Sequence, residues 1–120
     1  ALPLDAVHEF VDEMAGTVER ILPGARMVPV GHLGDGNLHY TVFPKEDETA
    51  NLRKHAADIK AAVYGPLSSY GGSFSAEHGI GASKLAEMTA FKDPAALAVM
   101  RRVKAALDPK GIMNPGRMLP

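Results

Sequence analysis

Arg26-Met27-Val28-Pro29-Val30-Gly31-His32-Leu33-Gly34-Asp35-Gly36-Asn37-Leu38-His39-Tyr40-Thr41-Val42-Phe43 decides the fold of this chain. Asp-Gly between two apolar runs is the strongest short-range signal for a β-hairpin. With Asp35 and Gly36 as the central turn residues, Leu33 faces Leu38, His32 faces His39, Val30 faces Thr41 and Val28 faces Phe43. Alternation then puts Pro29, Leu33, Leu38, Tyr40 and Val42 on one face. The other face carries both histidines near the turn, with Val28, Val30 and Phe43 behind them. Because both faces are apolar away from the turn, the pattern does not say which one meets the core, and the register rests on the turn chemistry. Pro29 has no N–H for a ladder, so the first strand is an edge strand or starts at Val30.

Outward from the hairpin, the spacing predicts helices. Val7, Phe10, Val11, Met14, Val18 and Ile21 recur every three to four residues, which predicts an amphipathic helix over Asp5 to Leu22, ended by Pro23-Gly24. A second helix starts at about Thr49, with Leu52, Ala56, Ile59 and Val63 in register. Pro66 must kink or split it near Tyr64. Gly71 to Gly81 is glycine-rich, with a short extended stretch at its centre. A last helix has Asp93 as its N-cap and Pro94 at its first position, with Leu97, Met100, Val103 and Leu107 on its apolar face. Asp108-Pro109-Lys110-Gly111 stops it. Helices alternating with a hairpin predict an α+β fold, an antiparallel sheet resting on two or three helices.

The chain has 120 residues, 46% of them hydrophobic and 22% charged, which suits one modest core. Thirteen basic residues against fourteen acidic ones give a net charge of -1. The Lys and Arg residues form no stripe, which argues against a nucleic-acid partner. No apolar run reaches the eighteen or so residues of a membrane span. The opening Ala1-Leu2-Pro3-Leu4 leads straight into a helical pattern, so the chain reads as a portion, residues 1–120, of a longer protein whose preceding residues are expected to supply further strands. Cysteine is absent, so a metal would have to use His, Asp or Glu.

Two clusters carry chemistry. His32 and His39, opposite one another in the predicted register, would hold their Cβ atoms about 4.5–5.5 Å apart, close enough to share one metal ion. Zinc sites that keep an open position commonly take two His and one Glu. Gly31, Gly34 and Gly36 remove side chains around the pair, which suits the approach of a ligand, although turn geometry accounts for two of them. Glu77-His78 is the second cluster, an acid beside an imidazole among glycines and small residues. Neighbours on an extended chain point to opposite sides, so Glu77 could complete a metal site while His78 faces a reacting atom as general base; an imidazole titrates near pH ~6.5. The plainer alternatives are a polar turn for the first cluster and a solvated loop for the second. His8 and His55 read as surface residues, and the six methionines as core or gap fillers.

Three motifs, Gly31-His32-Leu33-Gly34-Asp35-Gly36-Asn37-Leu38-His39, Ser75-Ala76-Glu77-His78-Gly79-Ile80-Gly81 and Leu107-Asp108-Pro109-Lys110-Gly111-Ile112-Met113-Asn114-Pro115-Gly116, closely resemble the C-terminal domain of the FAD-linked oxidases. That group includes D-lactate dehydrogenase, the glycolate oxidase FAD subunit and D-2-hydroxyglutarate dehydrogenase, within the vanillyl-alcohol oxidase flavoprotein superfamily. The resemblance implies a ferredoxin-like sheet packed on helices, with the FAD held mainly by an N-terminal domain outside this chain. It implies that His32, His39 and Glu77 are metal ligands and His78 the active-site base. It further implies that Asn37 lies near the substrate and Asn114 near the flavin. Arg117 stands where the family often has Lys, and Pro66 interrupts a segment often written as continuous helix.

The reaction so implied is oxidation of a D-2-hydroxy acid to the 2-oxo acid, with hydride passing to FAD beside a divalent metal, zinc first and manganese, iron or cobalt as alternatives. The chain alone is expected to be inactive. Expected partners are the small hydroxy acid, an undefined electron acceptor and a second copy of the chain, in the cytoplasm or, in a eukaryote, the mitochondrion. Two rivals stay open on the residues alone. A metal-dependent hydrolase could use the same ligands, though the helical His-Glu-x-x-His signature is missing. A non-catalytic α+β module could bind a small ligand or a partner subunit.

Overall fold

The computed structural model describes residues 1–46 and 49–120. They form two compact units, Ala1–Ala76 and Glu77–Pro120. In the first, a short 3-10 turn over Leu4–Ala6 leads into helix α1 (Val7–Ile21), followed by strands β1 (Arg26–His32) and β2 (Asn37–Phe43) and helix α2 (Thr49–Tyr64). The second contains helices α3 (Leu85–Phe91) and α4 (Pro94–Leu107). The α+β expectation holds, with a single two-stranded antiparallel sheet among the described residues.

The helix α1 forms where the apolar spacing puts it, and the same spacing builds the core of the first unit. Phe10, Met14, Val18 and Leu22 are buried together with Ile59, Val63 and Leu67 from α2 and the turn after it. The chain leaves α1 through the Leu22 N–H bond to Val18 O and a left-handed Gly24 at φ +80°. At the other end of the unit α2 stops at Tyr64, and a 3-10 turn over Gly65–Ser68 follows, as Pro66 requires.

The sheet meets this core through Met27, Leu38, Tyr40 and Val42, the face that carries no histidine. Phe10 packs edge-on against Tyr40, ring centroids 6.4 Å apart, and against Tyr70 at 5.4 Å. Burial pushes the Tyr40 phenol up to about 12, and its O–H donates to Met27 Sδ at 3.0 Å. Tyr70 is raised to about 12 chiefly by its hydrogen bond to the Glu13 carboxylate.

The hairpin register differs from the two-residue turn. His32 pairs with Asn37 and Val30 with His39, so the histidines sit diagonally rather than opposite. A two-residue type I′ turn needs positive φ at both central residues, and here Gly36 has it (φ +62°) while Asp35 does not. The connection is instead four residues long, Leu33 to Gly36, closed by the Gly36 N–H to Leu33 O bond at 3.1 Å. Leu33 is left 68% exposed. Because the slip is by an even number, every other side chain stays on its expected face.

In the second unit, Asp93 caps α4 as expected: its Oδ1 accepts from Ala96 N–H at 2.8 Å, with Pro94 in the first turn. Of the expected apolar face, Leu97 is buried, but Val103 is 53% and Leu107 74% exposed. Helix α3 is additional to the helices that the sequence pattern predicts, although Leu85, Met88 and Phe91 recur at helical spacing. At the far end of α4, Asp108 gathers the following loop. Its carboxylate takes the Lys104 ammonium at 2.5 Å and the backbone N–H groups of Ile112 at 3.0 Å and Met113 at 2.9 Å. The Lys104 bond holds the Asp108 carboxyl below its ordinary range, against the opposing pull of burial, with the two amides adding to it.

Candidate functional site

The end of the hairpin brings His32 and His39 together although they are not register partners. Diagonal neighbours on one face of an antiparallel pair lie within reach for large side chains. The two rings meet edge-on with centroids 5.9 Å apart and planes at 74°. The neighbouring glycines divide into two kinds. A Cβ on Gly31 would stand 1.9 Å from Asn37 O, and one on Gly36 would stand 1.8 Å from Leu2 O. These two glycines serve the approach of backbones. Gly34 has nothing within 4 Å of the same position, so it alone is free of a packing reason.

Glu77 and His78 do not point apart. No strand forms over Gly71 to Gly81, and without the alternation of extended chain the two side chains meet, His78 Nε2 lying 3.1 Å from Glu77 Oε1. The His78 side chain is 73% exposed and that of Glu77 36%. Gly79 and Gly81, at φ +68° and +57°, bend the chain just beyond.

Glu77 follows directly on the last residue of the first unit. His32 and His39 stand on the first unit and Glu77 opens the second; two imidazole nitrogens and one carboxylate oxygen are by their chemistry a donor set that suits a divalent cation.

Asn37 is 6% exposed, and its side-chain nitrogen Nδ2 lies 3.4 Å from His32 Nδ1. Asn114 stands in the left-handed region at φ +49°, a conformation Asn tolerates better than most residues. Together with Arg101, Lys104 and Arg117 it borders an open cavity of about 370 Å³ within the second unit. His8 and His55 take their expected surface roles, beside Asp12 at 3.5 Å and Asp58 at 3.7 Å. Among the described residues, no helix is long and apolar enough to cross a membrane.

A family model described as "FAD linked oxidases, C-terminal domain" matches residues 1–118. The chain belongs to that family. It is 42% identical over 121 residues to the mitochondrial D-2-hydroxyglutarate dehydrogenase of Bos taurus, covering 100% of this chain and 21% of that protein. The mitochondrial D-2-hydroxyglutarate dehydrogenase of Arabidopsis thaliana is 38% identical over 122 residues, covering 100% and 20%. The D-2-hydroxyglutarate dehydrogenase of Stutzerimonas stutzeri (strain A1501) is 36% identical over 113 residues, covering 93% and 24%. The chain thus spans about a fifth of the length of these relatives.

Proposed function

We propose that this chain is the substrate and metal side of an FAD-dependent dehydrogenase that oxidises a D-2-hydroxy acid to the 2-oxo acid, with D-2-hydroxyglutarate the first substrate to try. The observation that carries the reading is the meeting of the His32 and His39 rings, centroids 5.9 Å apart at the end of the hairpin, in a member of an FAD-linked oxidase family. The names of the relatives support the substrate class.

His32, His39 and Glu77 would hold a divalent ion, zinc first. Such an ion would supply Lewis acidity to a 2-hydroxyl, and a flavin held by the rest of the whole protein would supply the hydride acceptor. His78 would take the hydroxyl proton. A neutral imidazole that donates Nε2–H to Glu77 Oε1 keeps its lone pair on Nδ1, and that atom is the base. The carboxylate at the other nitrogen fixes the tautomer and steadies the imidazolium formed on proton transfer. Asn114 would lie on the flavin side. The base must start unprotonated, so the rate falls as the pH drops.

The test is anaerobic mixing of the full-length protein with a panel of D-2-hydroxy acids while the oxidised flavin absorbance is followed, before and after chelation. Bleaching by one acid, abolished by chelation and restored by Zn²⁺, is the expected result. The His78→Gln variant is expected to bleach about 10²–10⁴-fold more slowly while keeping its metal. Bleaching indifferent to chelation would remove the metal from the mechanism, and a protein that binds no flavin would end the reading.

A further inference from the structure

Val30 pairs with His39 across the ladder, and His32 stands two residues further along the strand of Val30. Alternation puts all three side chains on one face of the sheet, opposite to the face that packs on the core through Met27, Leu38, Tyr40 and Val42. Residues directly opposite hold their Cβ atoms about 4.5–5.5 Å apart, and same-face neighbours along a strand stand roughly 7 Å apart. The ladder therefore fixes Val30 beside both imidazoles. Val30 keeps 55% of its surface open, and its branched side chain has little rotamer freedom, so it presents a rigid apolar surface. Further from the turn the same face is covered differently: Val28 is half-buried, and the Arg26 guanidinium lies 5.7 Å over the Phe43 ring.

We infer that Val30 is a specificity-determining residue: it forms the apolar floor under carbon 3 of the substrate and selects 2-hydroxy acids that are unbranched there. The inference rests on the function proposed above and narrows its substrate class. In an acid chelated at the histidine pair through its 1-carboxylate and 2-hydroxyl, carbon 3 is the first carbon outside the chelate ring. Val30 lies within its reach, whereas Arg26, six residues from His32 along an extended strand, is roughly 20 Å away. The surface beside the chelate is therefore apolar and suits a methyl or methylene group. A hydroxyl on carbon 3 would be set against the valine without a partner. A second methyl there would need the space that the valine fills, and one such group in an apolar site is worth about 10–200-fold.

The test uses the full-length protein loaded with Zn²⁺, its flavin reduced beforehand so that acids bind without being oxidised. The probes are D-2-hydroxybutyrate and D-2-hydroxyisovalerate, which differ by one methyl on carbon 3, and calorimetry gives the Kd of each. Wild type is expected to bind the first about 10–200-fold more tightly than the second. Val30→Ala is expected to shrink that ratio about tenfold or more while holding Zn²⁺ as tightly as wild type. Val30→Ile, which keeps the branching that strands favour, should weaken even the unbranched acid. A merely structural residue would not move the ratio, since a folding defect lowers both acids and Zn²⁺ together. An unchanged ratio or weakened Zn²⁺ binding in Val30→Ala, or a wild type that binds the two acids alike or takes neither, overturns this inference alone. A wild type whose flavin is bleached by no D-2-hydroxy acid overturns the proposed function and this inference with it.

Discussion

Residues Ala1–Ala76 bury a cluster that runs from Leu2 through Phe10, Met14, Val18 and Leu22 to Ile59, Val63 and Leu67. In Glu77–Pro120 the buried hydrophobic side chains are Met88 and Leu97, while Phe91, Val99, Val103, Leu107, Ile112 and Met113 are exposed. The first unit is held by apolar burial, which is non-directional and insensitive to pH. The second relies on placed polar contacts, namely the Asp93 cap and the Asp108 knot. The histidine pair stands on the unit with the large core, which suits side chains that must hold a fixed separation. Glu77 and His78 stand in a glycine-bent stretch at the start of the second unit.

The largest effect is expected at Met14, which is fully buried. Met14→Ala should cost about 2–5 kcal/mol, read as lost hydrogen-exchange protection in α1 and β2, with α4 amides unaffected. Loss of protection in α4 to the same degree would mean that the two units unfold as one. Gly31→Ala should cost less, about 1–3 kcal/mol, because the strands can part locally to relieve a 1.9 Å approach. Its signature is a weakened β1–β2 ladder and a widened histidine pair, hence weaker Zn²⁺ binding with α1 still protected. An unchanged Zn²⁺ affinity would show that the metal does not depend on the hairpin's register.

The smallest and most conditional effect belongs to Asp108→Asn. The Asp108 carboxyl is held below its ordinary value of 3.8, so the charge contributes stability above that pH and loses it as the pH falls through the lowered value. Exposure of the Ile112 and Met113 amides should therefore rise in the variant at neutral pH. Wild type should converge on it only below about pH 4, once intrinsic exchange rates are divided out. Equal exposure of the two proteins at neutral pH would leave the second unit to be held by something other than this knot.

Much of this was legible because it is local. The α1 pattern, the stop at Pro23-Gly24, the interruption at Pro66 and the Asp93-Pro94 start of α4 all follow from contacts within a few residues, and each formed where the spacing put it. The helix α3 was hidden because its seven residues lie between glycine-rich chain and Asp93, too short a span for periodicity to stand out. The opposed orientation expected of Glu77 and His78 failed for a definite reason: it assumed an extended chain, and positive φ at Gly79 and Gly81 accompanies a bent one.

By itself the sequence determined which side chains share a face of the hairpin and which residue types stand where a metal and a base are expected. Alternation survives an even slip, and ligand chemistry belongs to the residue. Only the tertiary structure decided that the turn has four residues, that the face without histidine meets the core, and that Asn37 is buried against His32. Those outcomes depend on Leu2 strapping Gly36 and on the carbonyl of Asn37 filling the space at Gly31. Contacts of that kind join residues distant in the chain or across the hairpin, and no local pattern encodes them.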